Sequence, residues 1–548
     1  MTENRPGLPP GRGERYPVGN SSEISSGLLL NAVRDVAEQG ELSPSRLAEA
    51  IRARLGSCGN EAARGVASAF AEGVAVLAMY ADAPMADADS VVEAETDAVE
   101  VARRVVRPVL EAKLQARIDV LDAQSVGQTC CPKCKQFAES EGRRRRTWKG
   151  VLGLLRLKRR YACCQTSECD TGIAPAQMAL GLSESEFTPR LEELCTMLAT
   201  TVPFGMAVTL ASKMCGIDVS IKAVEDMVER RAAEVQKRDR EQAERLTPFD
   251  AKGLPVPQQE RPADAVAPSA TPKVAYMDID GVVPITREEI TGEKLTDDDR
   301  QRQAQAKVDK ARGGKARRFH IVGREVKNAV LYDGKDCVAE GPGRGCLLAK
   351  TYVSHLGGWA AFTALLWVQM LRLRFDQAEL LVILSDGADW IRSLSKCLPI
   401  PVLLILDLFH VKKRIWEVAN ALYGERTPEA VQWARIQCDR VERGRAPDVI
   451  QMLRFTRSRR AKVKKLIDNL RGYLDANLDR MDYPAYRARG LRVGSGAVES
   501  ANFHVTGNRL KLQGMRWSAE GAGHMAALRA DLFNGRWEHR TKELLAAA

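Results

Sequence analysis

Four carboxylates lie at the ends of apolar or small-residue segments in the second half of the chain. Asp280 is near the end of VAYMDIDGVV, Asp386 follows ELLVILS, and Asp407 follows PVLLIL. Apolar runs of this length predict buried strands, and parallel strands bring their carboxyl ends to one edge of a sheet. Glu499 lies in GSGAVESANF, where the glycines and serine predict the start of a helix. Grouped carboxylates of this kind suit Mg²⁺.

Each of these residues also has an ordinary structural explanation. A single aspartate after a strand is commonly a turn residue or N-cap, and the helix dipole favours a first-turn glutamate. Three apolar strands that all end in aspartate are harder to explain in that way. The near absence of charge around Glu499 predicts a packed helix face, shared with Asn502 and Phe503. Asp278 and Asp280 point to the same face of the first strand, so the choice between them stays open.

A cysteine cluster is the second group of residues with chemical potential. Cys131 and Cys134 form a C-x-x-C pair, and Cys169 pairs with either Cys163 or Cys164. The intervening RRRRTWKGVLGLLRLKRRY predicts a β-hairpin, which would bring four thiolates around one structural Zn²⁺. The second pair is more widely spaced than a standard zinc knuckle. The ligand there is therefore Cys164 or Cys163, with Cys164 preferred.

The predicted hairpin is strongly basic, which suits binding to a phosphate backbone. The alternative is an ordinary solvated charged face. The candidate DNA-binding residues are Arg143, Arg144, Arg145, Arg146, Lys158, Arg159 and Arg160.

Length and composition are those of a multidomain globular protein with 548 residues, 45% of them hydrophobic and 28% charged. The formal net charge of +11 favours a polyanionic partner. The polar start of the chain has no apolar core of a signal peptide, and the most apolar run acquires arginines before it reaches membrane-spanning length. Thirteen cysteines without a secretory signal predict a reducing cytosol and no membrane association.

The expected fold class is multidomain α+β. Local patterns predict helices in the first part of the chain and an α/β domain after a proline-rich linker. Ser220 is the expected N-cap of the second helix of a pair, which is either helix-turn-helix-like or an ordinary pair of packed helices. A basic loop at 287–318 is expected to be solvated rather than a DNA-contacting arm. The predicted segments are a disordered 1–22, a helical N-terminal region 23–125, a zinc ribbon 126–180, a helix-turn-helix-like segment 181–246, a linker 247–272, and an α/β domain 273–548 with an all-helical insertion at about 411–488.

These motifs resemble those of DDE transposases, whose catalytic domain is RNase H-like. The resemblance is closer to bacterial insertion-sequence transposases of the Kra type, related to the Mutator-like group. Four stretches carry it, MDIDGVVP, LSDGADWI, DLFH and GSGAVESANFHVTGNRLKLQGMRWS, with CPKC and RLKRRYACC upstream. The resemblance runs from roughly 130 to 535. The first 120 residues and the 287–318 loop fall outside it.

The resemblance implies two catalytic Mg²⁺ ions, with Asp280 ligating both, Asp386 one and Glu499 the other. It implies strand cleavage at a transposon end, followed by attack of the freed 3′-OH on target DNA. Asp407 and His410 would lie at the rim and orient metal ligands or substrate, and the remaining supporting residues would be Asp278, Arg509, Lys511 and Arg516. For the three basic residues, a solvated surface is the alternative.

The implied partners are transposon terminal inverted repeats and target DNA, bound by a homodimer or higher oligomer in the bacterial cytoplasm, in association with the nucleoid. Two other functions remain open at this stage. One is an RNase H-like nuclease without strand transfer. The other is a zinc-ribbon DNA-binding regulator with an inactive α/β domain, which the intact acidic positions disfavour. Trp390 or Trp416 could stack on an unpaired base, although a core position is the ordinary explanation.

Overall fold

The computed structural model describes residues 61–83, 90–127, 129–166, 169, 171–182, 184–289, 319–341 and 344–546, with a few residues between 46 and 53. The predictions for 1–22 and for most of the 287–318 loop lie outside these residues. The described chain forms two compact units, one of residues up to Leu191 with Met214–Ile217, the other of Glu192–Lys213 and the residues from Asp218 onward. Within the described ranges, no helix combines the length and apolarity needed to cross a membrane.

The first unit combines long helices with a β-hairpin, as its sequence predicts. Helix α2 begins with a capping box, in which Ser90 and Glu93 bond each other's backbone N–H groups. Its Ile118 packs with Trp148 and Leu157, on opposite strands of the hairpin, which places the apolar side of the hairpin against the helix. The elements are α1 Glu61–Asp82, α2 Val91–Gln124, β1 Ala138–Gly150, β2 Gly153–Cys164, β3 Gly172–Ile173 and α3 Pro175–Ala179.

Three helices follow: α4 Pro189–Thr201, α5 Phe204–Cys215 and α6 Ile221–Leu246. Ser220 caps α6 as predicted, since its hydroxyl accepts a hydrogen bond from the Ala223 N–H at 3.1 Å. Gly216, between α5 and α6, has a φ of +63°, a left-handed conformation that favours glycine. Two helices thus flank the predicted turn, and a DNA-binding helix-turn-helix remains a prediction.

A five-stranded mixed sheet in the second unit positions the acidic residues. Its order is β10-β7-β4-β11-β12. Strands β7 and β10 form an antiparallel pair beside β4, whereas β11 and β12 run parallel to β4 on the other side. The bounds are β4 Val274–Val282, β7 Val326–Asp333, β10 Thr351–Leu356, β11 Leu380–Ser385 and β12 Val402–Leu406, with the two-stranded sheets β5 Ile285–Glu289 with β6 Phe319–Gly323 and β8 Cys337–Gly341 with β9 Arg344–Leu347.

Alternation along β4 assigns its side chains to two faces. Met277 and Ile279 pack with helix α7 Trp359–Leu373 in one core cluster. Tyr276 packs in the other cluster and stacks on Tyr332 of β7, with ring centroids 5.1 Å apart. Asp278 and Asp280 belong to the Tyr276 side by the same alternation.

Helices fill the chain between β12 and Ser495, where the all-helical insertion is expected, and they begin at Leu408 rather than 411. Their apolar sides pack in the cluster that also contains Tyr276 and Tyr332. The helices are α8 Asp389–Cys397 after β11, then α9 Leu408–Tyr423, α10 Pro428–Glu442, α11 Ala446–Phe455, α12 Ala461–Ala476 and α13 Tyr483–Ala488 in the insertion, and afterwards α14 Gly496–Ala501, a π-helix Asn502–Gly507, α15 Asn508–Leu510, α16 Ala519–Phe533 and α17 Trp537–Ala546.

The proline-rich stretch 247–272 has little regular structure, and it lies along α7. The Trp367 indole N–H donates to the Gln258 carbonyl at 2.7 Å, and Arg261 pairs with Asp376 at 2.6 Å. The Val266 N–H donates to the carbonyl of Arg372. The stretch is thus held by specific hydrogen bonds within the second unit, unlike a freely moving linker.

His355 on β10 gives the second unit a pH-dependent stability. Burial, together with the positive charges of Lys327 and Arg240, lowers the pKa of His355 to about 4. The folded state therefore binds this proton less readily than the unfolded chain, whose histidine pKa is about 6.5. The stability is fully present above about pH 6.5 and is lost as the pH falls toward 4.

We expect His355→Gln to lose less stability than the wild type between pH 7 and pH 4.5, by about 2 kcal/mol. Urea unfolding at the two pH values measures this difference. The same comparison for the exposed His539→Gln should show no such gain. Equal pH dependence of wild type and His355→Gln would contradict the prediction.

Candidate active site at the carboxyl edge of the sheet

Three aspartates meet at the carboxyl ends of the parallel strands β4, β11 and β12. Ser385 of β11 is in register with Ile279 of β4 and with Leu406 of β12. The residue after each is an aspartate, so Asp386 follows in register with Asp280 and Asp407. The Asp407 N–H donates to the Ser385 carbonyl at 2.8 Å, which continues the pairing to this point.

Asp280 is half-buried and held by a neutral donor. The Asn502 amide Nδ2 donates to its Oδ2 at 2.6 Å. Burial raises the pKa of Asp280, and the charges of Asp386 and Glu499 raise it further, against the opposing effects of the Gly281 N–H and His410. Negative charge is therefore concentrated here, and a bound cation would relieve it.

Asp386 lies in a turn that the helical insertion supports. Its Oδ1 accepts the Ala388 N–H at 3.1 Å, and its backbone carbonyl accepts the Tyr473 hydroxyl at 2.9 Å. Gly387 has a φ of +90°, and a Cβ there would come within 2.7 Å of Leu406. Only glycine satisfies both conditions, so the position of Asp386 depends on it.

Asp407 is fully buried and accepts four hydrogen bonds. Its donors are the Phe409 N–H at 3.0 Å, His410 Nδ1 at 2.6 Å, the Ser495 N–H at 3.2 Å and the Ser495 hydroxyl at 2.6 Å. Burial acts to raise the pKa of Asp407, but the bonds from His410 and Ser495 outweigh it and hold the pKa below its ordinary value. The same contact raises the pKa of His410, although burial opposes it. Asp407 thus orients His410, with Nε2 left for another partner.

Glu499 reaches the site on the short helix α14, which contacts β4 and β7. The segment before α14 is fixed by the two Ser495 bonds to Asp407. A Cβ on Gly494 would come within 2.6 Å of the Phe409 ring, so a larger residue there would displace this ring. The segment that follows the insertion, at Gly494 and Ser495, therefore lies beside Asp407.

The prediction of a packed face around Glu499 is wrong for Glu499 itself. Ala497, Val498 and Ala501 are buried, but the Glu499 side chain is exposed. The shared face with Asn502 and Phe503 also differs, because the backbone widens into a π-helix at Asn502. Asn502 turns toward Asp280, and Phe503 is 60% exposed.

The described residues contain two groups of three or more metal-ligand side chains whose ligand atoms all lie within 4.8 Å of one another. The acidic one consists of Asp407, His410 and Glu499. Asp280 and Asp386 lie outside it, although their charges act on the same groups, since both raise the pKa of His410. Asp280, Asp386 and Glu499, the expected trio, therefore lie at one edge of the sheet. Their ligand atoms do not all lie within 4.8 Å of one another.

Asp278 differs from Asp280 in its surroundings. It has no exposed surface, and its Oδ1 accepts the Tyr332 hydroxyl at 3.0 Å. Burial raises the pKa of Asp278 to about 8, and the charge of Asp407 adds to this effect. Of the two aspartates on this strand, Asp280 is the one beside Asp386 at the edge.

The basic residues after Glu499 separate into two kinds. Lys511 and Arg516 are exposed, as a phosphate contact or a solvated face requires. Arg509 is fully buried between the rings of Phe204 and Trp517, at 4.7 and 4.8 Å. Its Nε donates to the Ala199 carbonyl in the last turn of α4, a favourable place for a cation. The prediction that Arg509 contacts a phosphate is therefore wrong, because its guanidinium is not at the surface.

Trp390 and Trp416 are both half-buried and pack against the two core clusters. Trp390 also makes an edge contact with Phe362, at 6.0 Å between ring centroids. This agrees with the core position that is the ordinary explanation for both tryptophans.

Four cysteines come together in the first unit, at the open end of the hairpin. The Sγ atoms of Cys131 and Cys169 are 3.6 Å apart, and those of Cys134 and Cys164 are 3.3 Å apart. Tetrahedral zinc with Zn–S bonds of about 2.3 Å separates its sulfur ligands by about 3.8 Å, so the set fits zinc. The Gln136 N–H, with Cys164, lowers the pKa of Cys134 to about 6, which favours the thiolate. Cys164, and not Cys163, belongs to the group.

The basic side chains of the hairpin are not equally accessible. Arg143 pairs with Asp119, Arg144 with Glu141, and Arg146 with Glu184. Arg159 is buried, and its Nε donates to Gln177 at 2.6 Å, so its expected DNA contact is corrected. Alternation along β2 explains this, because Arg159 shares the inner face with Leu157. Arg145 and Lys158 are exposed, and Arg160 is half-buried.

Sequence reasoning missed a set of buried polar residues behind Asp280. Thr506 on the π-helix and Ser354 on β10 are both hydrogen-bonded to the side-chain amide of Asn328 on β7. The available signal was Asn328 itself, a lone amide in a strand of mostly apolar residues. A buried amide needs partners, so its presence in such a strand indicates a polar network.

Comparison with known proteins gives little. No protein-family model and no curated protein matches the chain. Among solved structures, the Drosophila P element transposase strand transfer complex is similar at 9% sequence identity, over 67% of this chain and 84% of that one, with a TM-score of 0.21. A TM-score this low does not define a shared fold.

Proposed function

We propose that the chain is a DNA transposase of the DDE class, in which Asp280, Asp386 and Glu499 form the catalytic site. One observation carries the proposal. The parallel register of β4 and β11 ends on Ile279 and Ser385, so Asp280 and Asp386 follow side by side, and a helix 113 residues after Asp386 brings Glu499 to the same edge. A turn or capping role explains each acid singly but not their convergence.

The sheet supports this assignment. An antiparallel pair on one side of a central strand and two parallel strands on the other is the arrangement of RNase H-like domains. The helical insertion lies between β12 and the Glu499 helix, as the sequence resemblance implies. We extend the proposal to an insertion-sequence transposase of the Kra type on the sequence motifs alone.

The acidic edge fits divalent metal. Asp280, Asp386 and Glu499 offer hard carboxylate oxygens. Burial raises the pKa of Asp280, and the charges of Asp386 and Glu499, which a cation would offset, raise it further. When bound, two Mg²⁺ ions activate the attacking oxygen and stabilise the leaving one. Asp407 keeps His410 oriented through Nδ1, so His410 can take up a proton at Nε2. Exposed Lys511 and Arg516 would bind DNA phosphates.

The remaining parts of the proposal concern binding. The Cys131, Cys134, Cys164 and Cys169 zinc site would hold the hairpin against transposon ends, with Arg145 and Lys158 among its exposed basic contacts. Terminal inverted repeats and target DNA are the proposed partners, and a homodimer or higher oligomer in the bacterial cytoplasm, associated with the nucleoid, is the proposed active form. The helix-turn-helix outline of α5 and α6 is a second candidate DNA contact.

A donor-cleavage assay tests this function. We expect the protein, with Mg²⁺ and DNA carrying the inverted repeats that flank its gene, to cut the repeat ends and join them to a second DNA. Electrophoresis separates cut donor from joined product. Cutting without joining would instead indicate an RNase H-like nuclease. End binding with neither product, in Mg²⁺ or Mn²⁺, would indicate a DNA-binding regulator.

A further inference from the structure

A continuous chain of side-chain hydrogen bonds leads from β10 to the Asp280 carboxylate. The Ser354 hydroxyl donates to Asn328 Oδ1 at 2.7 Å. Asn328 Nδ2 donates to Asn502 Oδ1 at 2.7 Å, and Asn502 Nδ2 donates to Asp280 Oδ2 at 2.6 Å. This series of hydrogen bonds connects β10, β7 and the π-helix, and it ends at Asp280 on the central strand β4.

The Asp280 carboxylate determines which group donates and which accepts in each of these hydrogen bonds. An ionised carboxylate can only accept, so the Asn502 amide must present Nδ2 to Asp280 and Oδ1 to Asn328. Asn328 must then present Nδ2 to Asn502, which leaves its Oδ1 for the hydroxyl of Ser354. Each bond in such a series polarises the next, so the final donor to Asp280 is strengthened.

Burial and the additional hydrogen bonds of Thr506 restrain this series of side chains. Asn328 and Thr506 have almost no exposed surface, and Ser354 has little. The Thr506 hydroxyl lies 2.9 Å from Asn328 Nδ2 and 3.1 Å from its Oδ1. Asn502 and Thr506 stand at the start and near the end of the π-helix. The widened turn thus directs both side chains to the same amide of Asn328. Single π-helical turns are frequent at functional sites.

We infer that Asn502 is a positioning residue, which fixes Oδ2 of Asp280 so that this carboxylate would hold the proposed divalent metal, with Asn328, Thr506 and Ser354 fixing Asn502 in turn. The inference rests on the proposed metal-dependent function. An amide does not titrate, so it orients the carboxylate over the whole working pH range. It also adds no charge that would compete with the metal, as an arginine or lysine in its place would.

Divalent metal binding tests this role without relying on catalysis. Mn²⁺ is titrated into the zinc-loaded full chain, and the free ion is followed by electron paramagnetic resonance. Loss of a residue that orients a metal ligand typically weakens metal affinity by about 10-fold or more. We expect that loss in Asn502→Ala, with cleavage partly restored at high Mn²⁺ and with an unchanged KM for DNA. Asn508→Ala, an exposed amide six residues on, is the matched control and should match the wild type.

Thr506→Val keeps the side-chain shape and removes the hydroxyl anchor of Asn328, so we expect a smaller loss of Mn²⁺ affinity, about 3-fold. It decides the outcome if Asn502→Ala does not fold. Wild-type Mn²⁺ affinity in folded Asn502→Ala, or in Thr506→Val where the former is unfolded, overturns the positioning role while Asp280→Asn still loses metal. Mn²⁺ affinity that is the same in wild type and Asp280→Asn overturns the proposed metal site as well.

Discussion

Replacing any one of the three proposed ligands, as Asp280→Asn, Asp386→Asn or Glu499→Gln, is expected to abolish Mg²⁺-dependent cleavage and joining of DNA ends. Each substitution keeps the side-chain shape and removes a charged oxygen ligand. Metal stabilisation of the transition state is worth several kcal/mol, so we expect the rate to fall by about 1000-fold or more. Single-turnover assays on inverted-repeat DNA measure the rate, and gel-shift titration should show end binding unchanged.

Asp389→Asn is the matched control. Asp389 is exposed, three residues after Asp386 and at the start of the next helix, so its loss should leave cleavage at the wild-type rate. Full activity in Asp386→Asn would exclude the assignment of this carboxylate. Equal losses in Asp386→Asn and Asp389→Asn would point to damage of the turn rather than to loss of a ligand.

The second large effect is expected on removal of zinc. We expect one zinc per chain by elemental analysis, and its loss in Cys131→Ser. Structural zinc contributes on the order of 10 kcal/mol to the folding of small domains. The core cluster here contains only Ala138, Ala162 and Ile173 besides the cysteines, which is too little apolar contact to replace the metal. A strong chelator or Cys131→Ser should therefore expose the hairpin, and limited proteolysis with mass mapping should place new cuts within residues 129–173.

Cys130→Ser provides the control for zinc, because Cys130 is exposed and lies outside the group of four. It should keep the metal and the protease resistance of the wild type. Cys163→Ser should do the same. Stoichiometric zinc retained in Cys131→Ser would contradict the assignment, and zinc retained in Cys164→Ser but lost in Cys163→Ser would reverse the choice between them.

Local sequence patterns were sufficient to predict the strands, the hairpin and the helix start that position the candidate site residues. Asp280, Asp386 and Asp407 lie at or after the ends of apolar runs that predict strands, and parallel strands present their carboxyl ends at one edge of a sheet. The hairpin between the cysteine pairs and the N-cap at Ser220 follow from equally local signals. These predictions depend on residues close together in sequence, where spacing alone determines the geometry.

The environment of the side chains could not be predicted in this way. Arg509 is in a basic stretch, yet its bond partner Ala199 is 310 residues away. Asn502 meets Asp280 across 222 residues, and Arg159 is buried only because of the strand face on which it lies. A sequence read locally assigns such residues to solvent, since nothing near them reveals the groups that enclose them.

The bonds between Ser495 and Asp407 also show when, during synthesis of the chain, the acidic residues at the sheet edge can come together. The two residues are 88 apart in sequence, with the entire helical insertion between them. A nascent chain emerging from the ribosome therefore presents all five strands of the sheet well before Glu499 and Asn502 have been synthesised. Asp280 acquires its amide donor, and Asp407 its serine, only when the insertion has been made and the chain has returned. A chain that ends within the insertion would therefore contain all five strands but neither Glu499 nor Asn502.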